Sequence, residues 1–254
     1  MNTDNLFIKS RNLLTIVLLA FSWPAFAGAP FVTDDPEPVA EGKWEVNYAI
    51  SKVWAHHSQS TTVPNIDINY GLTKNIQLHV QPSYSYQKVG DNKQSGFNNT
   101  EIGMKYCFLH QEQDGTEFML GVYPKLQLPT GDQKLGEASG RVQAFLPLWA
   151  QLNTDKWIFY GGAGYKINNF SGGKDSWFLG GTAMYEVTDK LKIGGELFRE
   201  TASAQGEKYT SGFNIGGVYN IAKDYHLLFS TGRALNNASE TNRLSAFLAL
   251  QVIY

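Results

Sequence analysis

The sequence has neither the cysteine pairs that stabilise small exported domains nor the basic patches that bind nucleic acid. Cys107 is the only cysteine, so no intrachain disulfide can form. The formal net charge is −2 and no basic patch stands out, which argues against a nucleic-acid partner. Phosphate-binding loops, zinc-ligand spacings and nucleotide fingerprints are missing from the pattern. We therefore expect no cofactor and no metal, and a fold held by backbone hydrogen bonds and packing.

Long apolar runs are also missing, except at the N-terminus. Lys9 and Arg11 precede an apolar run at residues 13–21, and Ala25-Phe26-Ala27 supplies a small-x-small cleavage pattern. The run is shorter than the roughly 20 apolar residues of a transmembrane helix. Residues 1–27 are thus predicted to be a cleaved signal peptide, with an uncleaved anchor helix as the alternative. No later apolar stretch is long enough for a membrane-spanning helix.

What the chain does have is a strong period of two. At residues 76–87, Ile76, Leu78, Val80 and Tyr84 fall on one face, and polar side chains fall on the other. This segment is longer than a usual soluble strand and suits the 9–11 residues of a tilted membrane-crossing strand. The alternation recurs at residues 44–51, 118–129 and 142–152. The mean hydropathy of −0.28 fits this pattern, because only alternate residues of a barrel strand face lipid.

Short turns alternate with longer Gly/Ser-rich connections along the chain. The short ones lie at residues 70–75, 113–115, 153–156, 185–190 and 219–224, and the longer ones at 56–63, 90–99, 131–140, 171–176, 204–210 and 236–242. Short periplasmic turns and long extracellular loops are typical of outer-membrane barrels. The pattern predicts an all-β fold over residues 43–254, a transmembrane antiparallel up-and-down β-barrel of about twelve strands. A soluble β-sandwich is the alternative.

Two terminal segments complete the predicted organisation. Residues 28–42 are rich in proline and acidic residues and form either a partial plug or a periplasmic segment. The last strand alternates from Leu244 to Val252 and ends on Tyr254. An amphipathic strand ending on an aromatic residue resembles the signal recognised by the barrel-assembly machinery. The predicted partners are therefore that machinery during biogenesis, the outer-membrane lipid bilayer and a small-molecule solute.

The alternation also predicts which side chains line the barrel interior. Both charge signs occur among them, so no simple anion or cation selector is indicated. They either line a water-filled path or form ion pairs that fill a narrow interior. Bulky inward residues such as Phe145, Tyr160, Phe178, Phe198 and Phe247 either fill space or form a stacking surface for an aromatic solute. The candidate lumen-lining residues are Glu45, Asp67, His79, Glu101, Lys105, Tyr123, Lys125, Trp149, Lys166, Glu186, Lys192 and Glu196.

Several motifs resemble those of a family of outer-membrane transporters associated with the meta-cleavage pathway of phenol degradation. The more specific motifs are Thr33-Asp34-Asp35-Pro36-Glu37 and Leu128-Pro129-Thr130-Gly131-Asp132, supported by Gly42-Lys43-Trp44-Glu45 and the turn at residues 70–75. The resemblance covers essentially the whole mature chain. It implies a barrel that admits small molecules, aromatic ones among them, and it carries no agreed set of binding residues.

The function expected from these features is a passive outer-membrane channel for small solutes, aromatic or hydrophobic compounds included. One alternative is a structural or surface-interaction barrel with a closed lumen. A less favoured alternative is a lipid-modifying enzyme of the outer membrane. No enzyme is expected, because none of the five histidines lies in a nucleophile signature such as Gly-x-Ser-x-Gly.

Overall fold

A computed structural model describes residues 29–132, 135, 141–170 and 172–254 of the chain. The predicted signal peptide, residues 1–27, lies outside these residues. Throughout the described part the regular structure is β-strand, arranged as one closed antiparallel sheet. Within the same residues there is no helix long and apolar enough to cross a membrane.

The strands form where the sequence alternates in polarity, and exposure alternates with it. In the strand Gln143–Asn153, Leu146 and Leu148 are about half exposed, whereas Trp149 and Gln151 are buried. Because successive strand side chains point to opposite faces, the exposed apolar residues lie outside and the buried ones inside. The outside band of Leu, Ile, Val and aromatic side chains is the surface that a bilayer covers.

Fifteen strand segments make up the barrel wall. They are β1 (Trp44–Trp54), β2 (Ser58–Thr73), β3 (Ile76–Gln81), β4 (Ser83–Val89), β5 (Asn92–Phe97), β6 (Thr100–Gln113), β7 (Thr116–Val122), β8 (Lys125–Leu128), β9 (Gln143–Asn153), β10 (Trp157–Ile167), β11 (Ser176–Thr188), β12 (Leu191–Glu200), β13 (Thr210–Ala222), β14 (Tyr225–Ala234) and β15 (Leu244–Ile253).

Three interruptions turn twelve barrel strands into these fifteen segments. Pro82 separates β3 from β4, and Pro124 lies in the break between β7 and β8, since proline cannot donate to a β ladder. Asn98 and Asn99 separate β5 from β6. Joining each interrupted pair gives a twelve-stranded antiparallel barrel, as predicted. The barrel closes because β1 pairs with β15 on one side and with β2 on the other.

Two connections predicted as long loops are partly strand. β2 already begins at Ser58, and β5 occupies most of the predicted loop at residues 90–99. The physical reason is pairing: Gln59 lies opposite Trp54 of β1 and opposite Lys88 of β4, and Lys88 lies opposite Lys93 of β5. These segments therefore extend the sheet beyond the predicted strand ends, although their composition is polar.

Candidate functional site

The N-terminal segment, residues 29–42, contacts inward-facing side chains from several sides of the barrel. Its central residue Asp34 is only 1% exposed. One carboxylate oxygen lies 3.2 Å from the Lys105 ammonium of β6, and the other lies 3.2 Å from the Lys125 ammonium of β8. The Lys105 ammonium also contacts the Asp35 carboxylate at 3.0 Å and donates to the Glu37 carbonyl at 3.1 Å. One wall of the barrel thus binds the segment through two buried lysines.

A polar network continues from these lysines into the wall. The Lys125 ammonium lies 3.7 Å from the Glu101 carboxylate, which lies 3.4 Å from Nε2 of His79. His79 Nδ1 is 2.9 Å from the Asp67 carboxylate. All four side chains are almost completely buried, and contacts between the carboxylates and the basic side chains offset the cost of removing these groups from water. Asp34 therefore completes a chain of charges that runs through four strands.

The opposite wall binds the same segment through hydrogen bonds to its backbone. The Glu196 carboxylate of β12 accepts hydrogen bonds from the backbone N–H groups of Val32, at 2.9 Å, and Thr33, at 2.8 Å. The Asn214 amide of β13 also donates to this carboxylate. The Ser230 hydroxyl of β14 donates to the Pro30 carbonyl at 2.5 Å. Because Glu196 is 3% exposed, these donors replace its hydration shell.

Two glutamines of the barrel wall bind the C-terminal part of the segment. The Gln77 side-chain oxygen accepts from the Val39 backbone N–H at 2.9 Å. The Gln151 amide donates to the Glu37 carboxylate at 2.9 Å. Polar contacts therefore accompany the segment from Pro30 to Val39, and they come from β3, β6, β8, β9, β12 and β14.

Apolar side chains of the segment fill the remaining interior. Phe31 is fully buried against Tyr160 and Met184. Val32 belongs to a second buried cluster with Tyr123, Trp149, Phe178, Leu228 and Phe247. Aromatic residues predicted either to fill space or to form a stacking surface therefore pack, in part, on the protein's own segment.

Three glycines make room for this segment. A Cβ on Gly180 would overlap the Thr33 hydroxyl, and one on Gly71 would overlap the Ala40 carbonyl. A Cβ on Gly121 would lie 2.9 Å from Pro36 Cβ, closer than real Cβ contacts. The adjacent Gly181 shows the contrast, since a Cβ there would have no neighbour within 4 Å.

Nearer the long-loop end, the interior is aromatic with one ion pair. Phe145, Trp149 and Phe178 meet edge to face, with ring centroids 6.1–6.3 Å apart, and Phe198 stacks on Phe178 at 6.3 Å. The Lys166 ammonium lies 2.8 Å from the Glu200 carboxylate and 5.5 Å from the rings of Phe145 and Phe178. Trp149 Nε1 is a buried donor without a hydrogen-bond partner.

The structure brings most of the predicted lumen residues together around the segment. His79, Asp67, Glu101, Lys105, Tyr123 and Lys125 form one buried group, in which the Lys125 ammonium lies 4.0 Å from the Tyr123 ring centre. Trp149, Glu196 and Lys166 line other parts of the interior, as described above. The remaining three lie apart: Glu45 is half-buried beside Asn47, and Glu186 lies opposite Lys192 in the register of β11 and β12.

Several residues of this site did not figure among the predicted lumen residues, among them Asp34, Asp35, Gln77, Gln151, Asn214 and Ser230. A signal for the first two was present. Two lysines predicted to point inward need anionic partners, and the acidic pair at Asp34 and Asp35 precedes the first strand. Nothing in the sequence pattern marks Asn214 or Ser230, since polar residues alternate along every strand.

A closed twelve-stranded barrel with an apolar exterior and a polar interior is the architecture of an outer-membrane β-barrel protein. A family model described as "Putative MetA-pathway of phenol degradation" matches residues 19–248. The chain belongs to that family, which confirms the resemblance drawn from its motifs.

Two solved structures with the same fold are an outer-membrane channel and a porin. An outer membrane channel from Pseudomonas putida F1 is 18% identical, with a TM-score of 0.65 over 87% of this chain and 98% of that one. The KdgM porin is 14% identical, with a TM-score of 0.53 over 82% of this chain and 98% of that one. No curated protein gives a significant match.

Proposed function

We propose that the protein is a passive outer-membrane channel for small solutes, and that residues 28–42 act as a partial plug that restricts its lumen. The observation that carries this proposal is the contact pattern of the N-terminal segment. Asp34 binds two lysines on one wall, and the Val32 and Thr33 amides bind Glu196 on the other. A segment that is bound to both walls narrows the solute path through the lumen.

The binding mode is also compatible with movement of the segment. From Pro30 to Val39 its polar contacts are hydrogen bonds and ion pairs that involve side chains of the wall, and at its end the Gly42 N–H donates to the Gly71 carbonyl of β2. Among the described residues it is not a strand of the barrel sheet. Such contacts contribute individually about 0.5–3 kcal/mol, so each can be removed without dismantling the barrel sheet. The predicted lumen-lining residues, Lys105, Lys125 and Glu196 above all, would then act both on the solute and on the segment.

The solute class is part of the proposal. Phe145, Trp149, Phe178 and Phe198 form an aromatic group near the long-loop end, and the buried Trp149, which packs in one cluster with Val32, holds an unpartnered N–H donor that a solute would reach once the segment moves. These groups suit a small aromatic or hydrophobic solute that carries a hydrogen-bond acceptor. The family's description points in the same direction.

A closed structural barrel is the second candidate, because one observation favours it. Phe31, Thr33 and Asp34 are between 0% and 1% exposed, so at this level the segment leaves little room beside it. In that case surface loops would carry the function and the lumen would conduct nothing.

Single-channel recording in a planar bilayer distinguishes the two candidates. The mature protein is compared with a variant that lacks residues 29–40, after heat-modifiable gel mobility has shown that both are folded. Discrete steps in the mature protein, with larger steps in the variant, support a restricted channel. Silence in both would refute the channel and favour the closed barrel.

The remaining partners belong to the same proposal. The apolar exterior contacts the outer-membrane bilayer, and Leu244, Leu248 and Leu250 of β15 lie on it with 39–47% exposure. We infer that this last strand, ending on Tyr254, is the segment bound by the barrel-assembly machinery.

A further inference from the structure

The charged residues on the outside of the barrel are distributed very unevenly. Following the strand registers from the exposed apolar residues, the charged side chains that point outward in the described strands are all cationic. Every one lies in the half of its strand nearer the long loops. They are Lys52 of β1, Lys88 of β4, Lys93 of β5, Arg199 of β12 and Arg233 of β14.

These cations occupy one continuous arc of the wall. In the order of the sheet, β5, β4, β2, β1, β15, β14, β13 and β12 are neighbours, and the arc runs from Lys93 to Arg199. The outward faces of β6 to β11, on the other side of the barrel, carry no charge within the described strands. A charge pattern that merely kept the exterior soluble would mix signs and would not avoid half of the circumference.

The densest part of the arc is the pair Lys88 and Lys93. They lie directly opposite each other in the β4–β5 register, on the same face. Two like charges in this position have Cβ atoms about 5 Å apart and destabilise the pair of strands. Neither lysine, nor Lys52, forms an ion pair with another described residue, so no carboxylate of the described chain offsets the repulsion.

Aromatic side chains on the outer face lie next to two of these lysines, with Tyr86 on the membrane side of Lys88 and Trp54 on the long-loop side of Lys52. Tyr86, 53% exposed, lies two positions before Lys88 on the same face. The Lys52 ammonium lies 5.0 Å from the ring centre of Trp54. Gln59 links the two groups, because it lies opposite both Trp54 and Lys88. The surface thus presents aromatic rings at the interface and ammonium groups beside them.

We propose that Lys52, Lys88 and Lys93, with Trp54 and Tyr86, form a binding site for a phosphorylated glycolipid of the outer leaflet. Such a lipid carries phosphates on a sugar head and several acyl chains. Its phosphates match the unpaired ammonium groups through charge-assisted hydrogen bonds, and its sugar and upper acyl chains match the rings. The site is continuous with the lipid-facing surface of the barrel, so this occupant is already present at the position of the site.

This site is outside the barrel and independent of the proposed channel. The occupant neutralises the Lys88–Lys93 repulsion and ties the protruding β4–β5 hairpin to the membrane surface. Loss of the lipid site would leave the lumen contacts of the N-terminal segment unchanged. A failure of this proposal and a failure of the channel proposal are therefore separate outcomes.

Native mass spectrometry of the full mature protein, titrated with bisphosphorylated lipid A in detergent, tests the proposal. The K88E/K93E variant removes the site. The K74E/K223E variant is the matched control, because it makes the same charge change at two exposed turns at the opposite end of the barrel. Heat-modifiable gel mobility verifies that each variant is folded. If the reversed charges prevent K88E/K93E from folding, the K88Q/K93Q variant is used in its place.

We expect lipid A to bind the wild type and the control alike, and to bind K88E/K93E at least tenfold more weakly. Lipid A stripped of its phosphates should bind all three equally weakly, and tens of millimolar inorganic phosphate should leave the lipid bound. Equal binding by wild type and K88E/K93E would overturn the proposal, as would an equal loss in the control. Displacement of the lipid by inorganic phosphate would overturn the proposal and show that the site binds a free anion. A wild-type dimer that K88E/K93E abolishes would overturn it and show that the site binds a second copy of the chain.

Discussion

Replacing Asp34 by asparagine tests how firmly the N-terminal segment is fixed. The change keeps the shape of the side chain and removes its charge. Lys125 then keeps Glu101, at 3.7 Å, and the Tyr123 ring, whereas Lys105 keeps Asp35 and the Glu37 carbonyl. Removing one partner of a buried ion pair costs about 3–5 kcal/mol, and the contacts that Lys105 retains favour the lower end.

A loss of about 3 kcal/mol from the bound state of the segment changes its bound-to-released ratio by roughly a hundredfold. If release of the segment widens the channel, the ratio of time spent in the larger conductance state to time spent in the smaller one should rise by that factor in D34N. Single-channel dwell-time analysis in a planar bilayer measures this ratio directly.

The neighbouring carboxylate provides the control. The Asp35 side chain is 31% exposed, accepts a hydrogen bond from the Glu37 backbone N–H and pairs with Lys105, which would still keep Asp34 in D35N. Partly exposed pairs contribute about 0.2–1 kcal/mol, so the ratio should change by less than about fivefold. Equal effects of the two substitutions, or unchanged dwell times in D34N, would refute the assignment of Asp34 as the main anchor.

Three further predictions follow from the same geometry. G180A should displace Thr33 and increase the conductance, whereas G181A, where a Cβ has free space, should match the wild type; equal currents from both would refute the proposed crowding. E196Q should weaken the hydrogen bonds to the segment by about 1.5–3 kcal/mol and make the segment more accessible to protease, an effect to be measured by cleavage rate against folded wild type. Deletion of Tyr254 should lower the amount of folded protein in the outer membrane severalfold, as measured by heat-modifiable mobility of membrane fractions, and unchanged levels would contradict its role in assembly.

The barrel could be predicted from the sequence because its determinants are local. Alternation at residues 76–87 and 142–152 fixes which face is outside, and short turns separate the strands. The strand count of about twelve followed directly. The limits of β2 and β5 did not follow, because polar residues such as Gln59 and Lys93 form strands there only through pairing with neighbours.

The interior site was predictable only in part. Strand parity alone assigns Lys105, Lys125 and Glu196 to the inside, and the structure buries all three. Their partners depend on where a segment without regular structure runs. Glu196 binds Val32 and Thr33 across 164 and 163 residues of chain, and no local pattern encodes a contact at that separation. The close approach at Gly180 is equally invisible in the sequence, where it looks like any of the paired glycines.

These long separations bear on the order of folding. Asp34 meets β6 and β8, 71 and 91 residues later, and the adjacent Thr33 meets β12. Contacts to both walls can exist together only when the wall between them is complete. Closing a loop of this length also costs conformational entropy before the stabilising contacts form. We therefore expect the segment to bind last, after the barrel has closed. A bound segment would then indicate that the barrel has closed. A barrel in which one pair of neighbouring strands had not paired would leave the N-terminal segment unbound and open to proteolysis in the periplasm.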